Sequence, residues 1–380
     1  ILANHLLANA KALIFGGMIF KGKEAKLWLK KGFKILKQEI SNQILKDGGH
    51  FEQSPMYHNI IFEDLLDIIN LLQSYNRIEL LINLEIFNKI NNIAKYSNLM
   101  CHPDGEVSFF NDSCFDIAPK LIDLDIYLKN LKIIPTISSS PDYFYEFKES
   151  GYSIFKNNLF YFIFDRSNIM SKYQPGHTHA DILSFELSFN NKRFLVNSGI
   201  NTYENNVIRH SQRSSTFHNT LTIEKKNSTQ VWHAFRTGKR AKIIKSKNFI
   251  NSNNVILKAT HNGYLDTKFK ATHTRSVKLS DNIILFNDFV IGKNYMNIDI
   301  FFHFSCKFNF IKKSDNSFIT VINNYSIEII TCKNCTVSIT DTDFYPSFGI
   351  TNIKSTLLIS KKIKTKQLFI TKFIFTKLND

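Results

Sequence analysis

Gly176-His177-Thr178-His179-Ala180-Asp181-Ile182-Leu183-Ser184-Phe185-Glu186-Leu187 carries a His-X-His pair into an apolar run. Residues 182–189 read as a strand between polar turns. If the strand includes the histidines, a side-chain period of two puts both imidazoles on one face. Two such neighbours suit a metal or a proton transfer, and equally a pair satisfied within a core. The same strand signature recurs at 158–164, 193–197, 219–224, 255–259, 282–289, 298–304, 326–331 and 355–360. Many short strands between turn signals predict a large antiparallel sandwich.

Upstream of about residue 135 the period changes to helical. Residues 3–20, 24–45, 63–75 and 78–98 read as helices. Leu6, Leu7, Ala10, Leu13 and Ile14 recur at three-to-four spacing on the first. Leu29, Phe33, Leu36, Ile40 and Ile44 do so on the second. Gly16-Gly17, Asp47-Gly48-Gly49 and Ser54-Pro55 punctuate them, so the joints are short and neighbouring helices are antiparallel. The expected organisation is a helical domain over 1–135 and a β domain over 136–380, with 138–150 as the linker.

The 380 residues are 43% hydrophobic and 21% charged, which excludes a disordered or fibrous chain. No run approaches the roughly 18 apolar residues of a membrane helix, so no membrane span is expected. The formal charge of +16 favours a polyanionic partner. The abundance of Lys, Asn, Ile and Phe expected of AT-rich coding explains that charge equally well. No basic block or nucleic-acid motif accompanies it, so nucleic acid is not the expected partner. Cys101, Cys114, Cys306, Cys332 and Cys335 are odd in number and irregular in spacing, which is no disulfide framework. Cys332-Lys-Asn-Cys335 has redox or metal spacing without a second such pair, and is read as incidental. The chain begins with Ile and shows no leader, so truncation of a longer protein is expected.

Three polar clusters are candidates for chemistry. They are Asn4-His5 on the first helix, Asp47-Gly-Gly-His-Phe-Glu-Gln-Ser-Pro-Met-Tyr57-His58, and Gly176-His177-Thr-His179-Ala-Asp181. A lone His such as His5 is more often a satisfied core residue, and Asn4 is a natural helix cap.

These segments, with His102-Pro-Asp-Gly-Glu-Val107, Phe110-Asn-Asp112, Val196-Asn-Ser-Gly199, Arg213-Ser-Ser-Thr-Phe-His218-Asn-Thr-Leu221 and Trp232-His-Ala-Phe-Arg236, resemble the heparinase II/III family. The resemblance runs in consistent order from residue 4 to about 305. It implies a partial (α/α) toroid of helical hairpins followed by a large antiparallel β-sandwich. The implied activity is a polysaccharide lyase acting on uronic-acid glycans, in the periplasm or outside a bacterial cell. The partner would be an acidic polysaccharide.

By that resemblance Asn4, with His5 beside it, neutralises the substrate carboxylate. Tyr57 is acid or base, and His177 completes the set. His179, Asn197 and His218 align with a structural zinc site. Asn197 stands where the family has Asp, which weakens the site because an amide carries no charge. Arg209, Arg213 and Arg236 suit carboxylate or sulfate, or else ion pairs with Glu186 or Glu204. Glu52 and His58 lie near Tyr57 as further binding candidates, and Tyr203 suits stacking on a sugar. A toroid glycoside hydrolase would instead need two facing carboxylates, from Glu52, Glu63, Asp64 and Asp104. A glycan-binding or assembly protein with a disabled site is the non-enzyme rival.

Overall fold

The computed structural model describes residues 2–84, 86–134, 143–171, 173–251 and 254–378. The helical half opens with an antiparallel hairpin, α1 (Asn4–Ile19) and α2 (Lys23–Gln43). Leu7, Ala10 and Ile14 of α1 bury against Leu36 and Ile40 of α2. Gly32 permits the close approach: a Cβ there would lie 2.8 Å from Ile14 Cγ1 and 3.1 Å from the Ala10 carbonyl. The helix α3 (Pro55–Ser74) starts well before residue 63. Ser54 accepts the Tyr57 N–H as its cap, and Pro55 takes the first position, where no N–H is needed. The expected helix over 78–98 is interrupted. Ile78–Leu84 forms a 3-10 turn, and α4 (Ile86–Leu99) follows. A short α5 (Leu121–Asn130) was not anticipated. Among the described residues, no helix is long and apolar enough to cross a membrane.

Strands begin at Tyr143–Glu146, inside the stretch read as a linker. The expected boundary at 135/136 and the start of that linker lie outside the described residues. Among the described residues, one antiparallel sheet runs in chain order from Tyr143–Glu146 through Tyr152–Lys156, Phe160–Asp165 and Phe185–Phe189 to Lys192–Leu195. A larger sheet has the spatial order Ile311–Ser314, Ser317–Ile322, Tyr325–Ile330, Lys366–Lys377, Ile283–Ile291, Ala271–Leu279, Asn254–Tyr264, Ile243–Asn251. A third contains Thr336–Phe344, Asn352–Ile363, Met296–His303 and Leu221–Ile223.

Phenylalanines lock the three together. Phe185 packs 5.3 Å from Phe162 within the first sheet and 4.5 Å from Phe286 of the second. Phe302 of the third lies 5.3 Å from Phe286 and 5.5 Å from Phe373. Each such ring contributes about 1.5–3 kcal/mol by burial. Cys332 and Cys335, read as incidental, are joined by a disulfide across a tight turn.

A buried polar seam fixes the helical half on the sandwich. Glu186 accepts the backbone N–H groups of Phe109 (3.1 Å) and Asn197 (2.8 Å) and meets His102 Nε2 at 2.8 Å. Asp47 accepts the N–H groups of Glu149 and Ser150. The Glu186 bonds, made away from water, set the orientation of the loops that carry the site.

Candidate active site

Loops from both halves converge on one fully buried carboxylate, Asp112. His177 Nδ1 lies 2.8 Å from its Oδ2 and His179 Nε2 lies 2.7 Å from its Oδ1. Arg209 donates from Nη1 at 2.5 Å and Nη2 at 2.7 Å. Burial alone would raise Asp112. The Arg209 guanidinium and the two imidazoles outweigh it and hold the carboxyl well below the usual range. An ionised carboxylate only accepts, so His177 donates from Nδ1 and turns its Nε2 edge away from Asp112. That nitrogen has no hydrogen-bond partner among the described residues.

The two histidines are not on a strand, which starts only at Phe185. Their loop is tied to the segment before α5. Asp112 N–H donates to the His177 carbonyl, and His179 N–H donates to Asn111 Oδ1 at 3.0 Å. Asn111 adopts φ 55, a conformation Asn tolerates. They face one carboxylate because the loop wraps it, and strand periodicity plays no part.

Tyr57 stands one turn into α3, placed by the Ser54 cap. Its ring lies 3.9 Å from the His177 ring, and its hydroxyl lies 3.1 Å from that of Tyr203. Burial, with the negative charges of Asp112 and Glu52, pushes Tyr57 up to about 12 against the Tyr203 hydrogen bond and Arg209. Glu52 is buried without a hydrogen bond to either oxygen, 3.8 Å from His50 Nδ1. Burial first, then Asp112, raises it to about 7, while His177 opposes the rise.

Other expected residues fall elsewhere. Asn4 is buried at the start of α1, but among the described residues its Oδ1 accepts only the His5 N–H, and His5 is exposed. No hydrogen bond joins either residue to Tyr57 or His177 among the described residues. His58 is not at the site. It is buried against Tyr96 and the Ile93 carbonyl, and burial lowers it to about 4. Arg209 and Arg213 are not open to a substrate. Arg209 is bound to Asp112 under the rings of Tyr203 and Phe235, and Arg213 holds the carbonyls of Thr178 and His233. Neither pairs with Glu186 or Glu204. Arg236 is exposed, with no hydrogen bond or ion pair among the described residues. Tyr203 is largely buried and contacts Tyr57 through its hydroxyl, in place of the open stacking face expected of it.

The residues aligned with a metal make a second layer. His179 Nδ1 faces His218 Nε2 at 3.1 Å. The outer nitrogens are engaged by Asp112 and by the Ser214 carbonyl, both acceptors, so both carry hydrogen. The inner nitrogens therefore present two lone pairs to each other. Burial pushes His179 down to about 3 and lowers His218 too, which disfavours an added proton. Opposed lone pairs with outer N–H groups held by acceptors are the arrangement of imidazoles on a metal. Asn197 does not complete it: its Oδ1 accepts the Asn219 N–H at 3.1 Å, and its buried Nδ2 has no partner. Among the described residues, no three His, Cys, Asp or Glu side chains are grouped to hold a metal. The pair fits zinc through two nitrogens only.

Sequence reading missed Asp112, on which the site turns, although its Phe-Asn-Asp segment was in view. Nothing local marks it: its partners lie 65 or more residues away.

The heparinase II/III-like C-terminal domain matches residues 140–371, and the heparinase II/III N-terminus matches 2–134. A heparin-sulfate lyase of Bacteroides stercoris is 30% identical over 256 residues, covering 60% of this chain and 36% of that protein. The solved heparinase III superimposes with a TM-score of 0.83 at 22% identity, covering 100% of this chain and 62% of that one. A heparan sulfate lyase from Pedobacter heparinus does so at 0.79 and 19%, covering 100% and 61%. The chain thus spans about a third of the length of the curated relatives it matches, and the structural likenesses establish its toroid-plus-sandwich fold.

Proposed function

We propose that this chain, which belongs to the heparinase II/III family, cleaves an acidic, uronate-containing polysaccharide by β-elimination. The observation that carries the proposal is the packing of Tyr57 against His177, whose ring centroids lie 3.9 Å apart. His177 Nε2 takes the C5 proton, and Asp112 stabilises the imidazolium that forms. The C5–H electron pair becomes the C4–C5 double bond as the C4–oxygen bond breaks. Tyr57 gives its proton to the leaving oxygen. Raised to about 12, its phenol stays protonated at neutral pH until it is needed. Tyr203 holds that hydroxyl in position.

The substrate carboxylate must lose its charge for the C5 proton to become acidic. By family resemblance this falls to Asn4 with His5. Glu52, at about 7, carries a proton part of the time and so meets an anionic sugar without full repulsion. A zinc ion held by His179 and His218 would brace the two loops and would lie outside the proton transfers. Of the four carboxylates the hydrolase alternative would draw on, Asp104 is bound by Arg193 and Asp64 by Lys11. The same reading goes with a periplasmic or extracellular home. The test is a panel of acidic glycans assayed for ultraviolet-absorbing unsaturated ends. Cleavage yielding only saturated ends would exclude elimination.

A further inference from the structure

We infer that the cavity beside His177 is a subsite for an anionic hexose, read by Arg236. The inference rests on the lyase proposal for where the reacting sugar lies. The cavity has a volume of about 400 Å³ and is lined by Tyr173, Gln174, Gly176, His233, Phe235 and Arg236, among others. That is within the range of small-ligand sites, roughly 300–1,000 Å³. It adjoins the catalytic centre. Gly176 precedes His177, and the Phe235 ring lies 6.1 Å from His177 and 5.2 Å from Tyr203.

Charge and walls define the ligand. Arg209 is held by Asp112, and Arg213 by backbone carbonyls. Arg236 alone of the three has no partner among the described residues, and no residue lining the cavity is acidic. An unpaired guanidinium suits the fork of a sulfate or carboxylate. Tyr173 and Phe235, 48% and 41% exposed, offer ring faces to the C–H face of a sugar. Tyr173 rests 5.6 Å from Phe51 of the helical half, which braces this wall of the cavity.

The frame is rigid. Arg236 sits on a hairpin, Val231–Trp232 paired with Arg236–Thr237. Arg213 grips its turn through the His233 carbonyl at 3.0 Å and Thr237 Oγ1 at 3.1 Å. Thr237 Oγ1 in turn donates to the Pro175 carbonyl on the facing wall at 3.0 Å. The arginine is thereby presented from a preformed backbone, which favours selective binding.

The experiment uses the full-length protein and two size-matched heparan tetrasaccharides, one sulfated and one chemically desulfated. Binding is measured by titration calorimetry in a Tyr57→Phe background, and turnover with the Tyr57 enzyme. Arg236→Ala is expected to weaken binding about tenfold and to raise KM by a similar factor, with kcat within about twofold, and Arg236→Lys to restore part of the loss. A loss confined to the sulfated ligand shows that Arg236 reads sulfate, and a loss on both shows that it reads carboxylate. Unchanged binding of both ligands by Arg236→Ala, or a kcat loss at constant KM, overturns the subsite. Product formed at unaltered KM by that variant sinks the subsite and leaves the lyase. Arg236-dependent binding without any unsaturated product does the reverse.

Discussion

Two buried clusters in this molecule share four groups, two imidazoles, a carboxylate and a guanidinium, whose chains end on different outer partners. In the sandwich, His261 Nε2 meets His273 Nδ1 at 3.2 Å, His273 Nε2 meets Asp288 at 2.6 Å, and Arg275 grips Asp288 through Nε at 2.8 Å and Nη2 at 3.0 Å. At the cleft, His218, His179, Asp112 and Arg209 repeat the pattern. The sandwich chain ends on the Gly263 N–H, a donor to His261 Nδ1. Two neutral imidazoles then satisfy every position, each donating once and accepting once. The cleft chain ends on the Ser214 carbonyl, an acceptor, and the inner lone pairs are left facing each other. A closed network braces a core, whereas an open one has room for a further proton or ligand. The cleft carboxylate also holds a third imidazole, His177, whose other edge is free.

Mutations should separate the two clusters by readout. At the cleft, Tyr57→Phe and His177→Ala should each lower kcat about 10²–10⁴-fold, with substrate binding by Tyr57→Phe nearly intact. Steady-state kinetics and calorimetry check this, and an active Phe variant would remove Tyr57 as the acid. In the sandwich, Asp288→Asn leaves Arg275 buried without its counter-charge. Chemical denaturation should show a loss of about 3–5 kcal/mol, while the folded fraction keeps its kcat.

Acidity should separate them next. Glu52 is raised from 4.5 to about 7, so the folded state prefers its protonated form. Its contribution is fully present below about pH 4.5 and is lost as pH rises through 7. Asp288 is depressed to about 2, because Arg275 and His273 outweigh burial, so its contribution is lost only as pH falls toward 2. Glu52→Gln should therefore abolish about 3 kcal/mol of stability loss between pH 4.5 and 8, measured by denaturant titration at both pH values. An identical loss in the variant would show that Glu52 ionises freely. The smallest effect concerns metal. Asn197→Asp adds an anionic side chain at the position that the resemblance aligns with a metal ligand, so retained zinc and Tm should rise together, while a chelator leaves the His261–His273 pair unaffected. Stoichiometric, chelator-resistant zinc in the Asn197 protein would show that two imidazoles and an amide suffice.

Periodicity alone marked the hairpin α1–α2, since its apolar stripes at three-to-four spacing are local properties of the chain. Most of the strands it marked were present but shorter or longer than expected, because pairing, and not propensity, decides where a ladder ends. Ala271–Leu279 and Lys366–Lys377 went unread. Their alternation of buried and half-exposed residues includes His273, Arg275 and Thr371 on the inner face, and polar side chains break an apolar pattern. The α3 start was legible in Ser54-Pro55 and was overlooked in favour of the apolar run behind it.

Residue types and local order, then, determined the two halves, the capped helix that carries Tyr57, and the presence of His177 and His179 in one segment. The tertiary structure decided what those groups are. Asp112 becomes a shared acceptor only when the loop before α5 meets the histidine loop across the seam. Arg209 and Arg213 become internal supports by the same packing, and Arg236 is left without a partner among the described residues. Chain order can place a side chain on a helix or beside a neighbour. Whether it ends paired, protonated or open to a ligand depends on groups distant in sequence, because burial and hydrogen bonding are set by whatever the fold brings within a few ångströms.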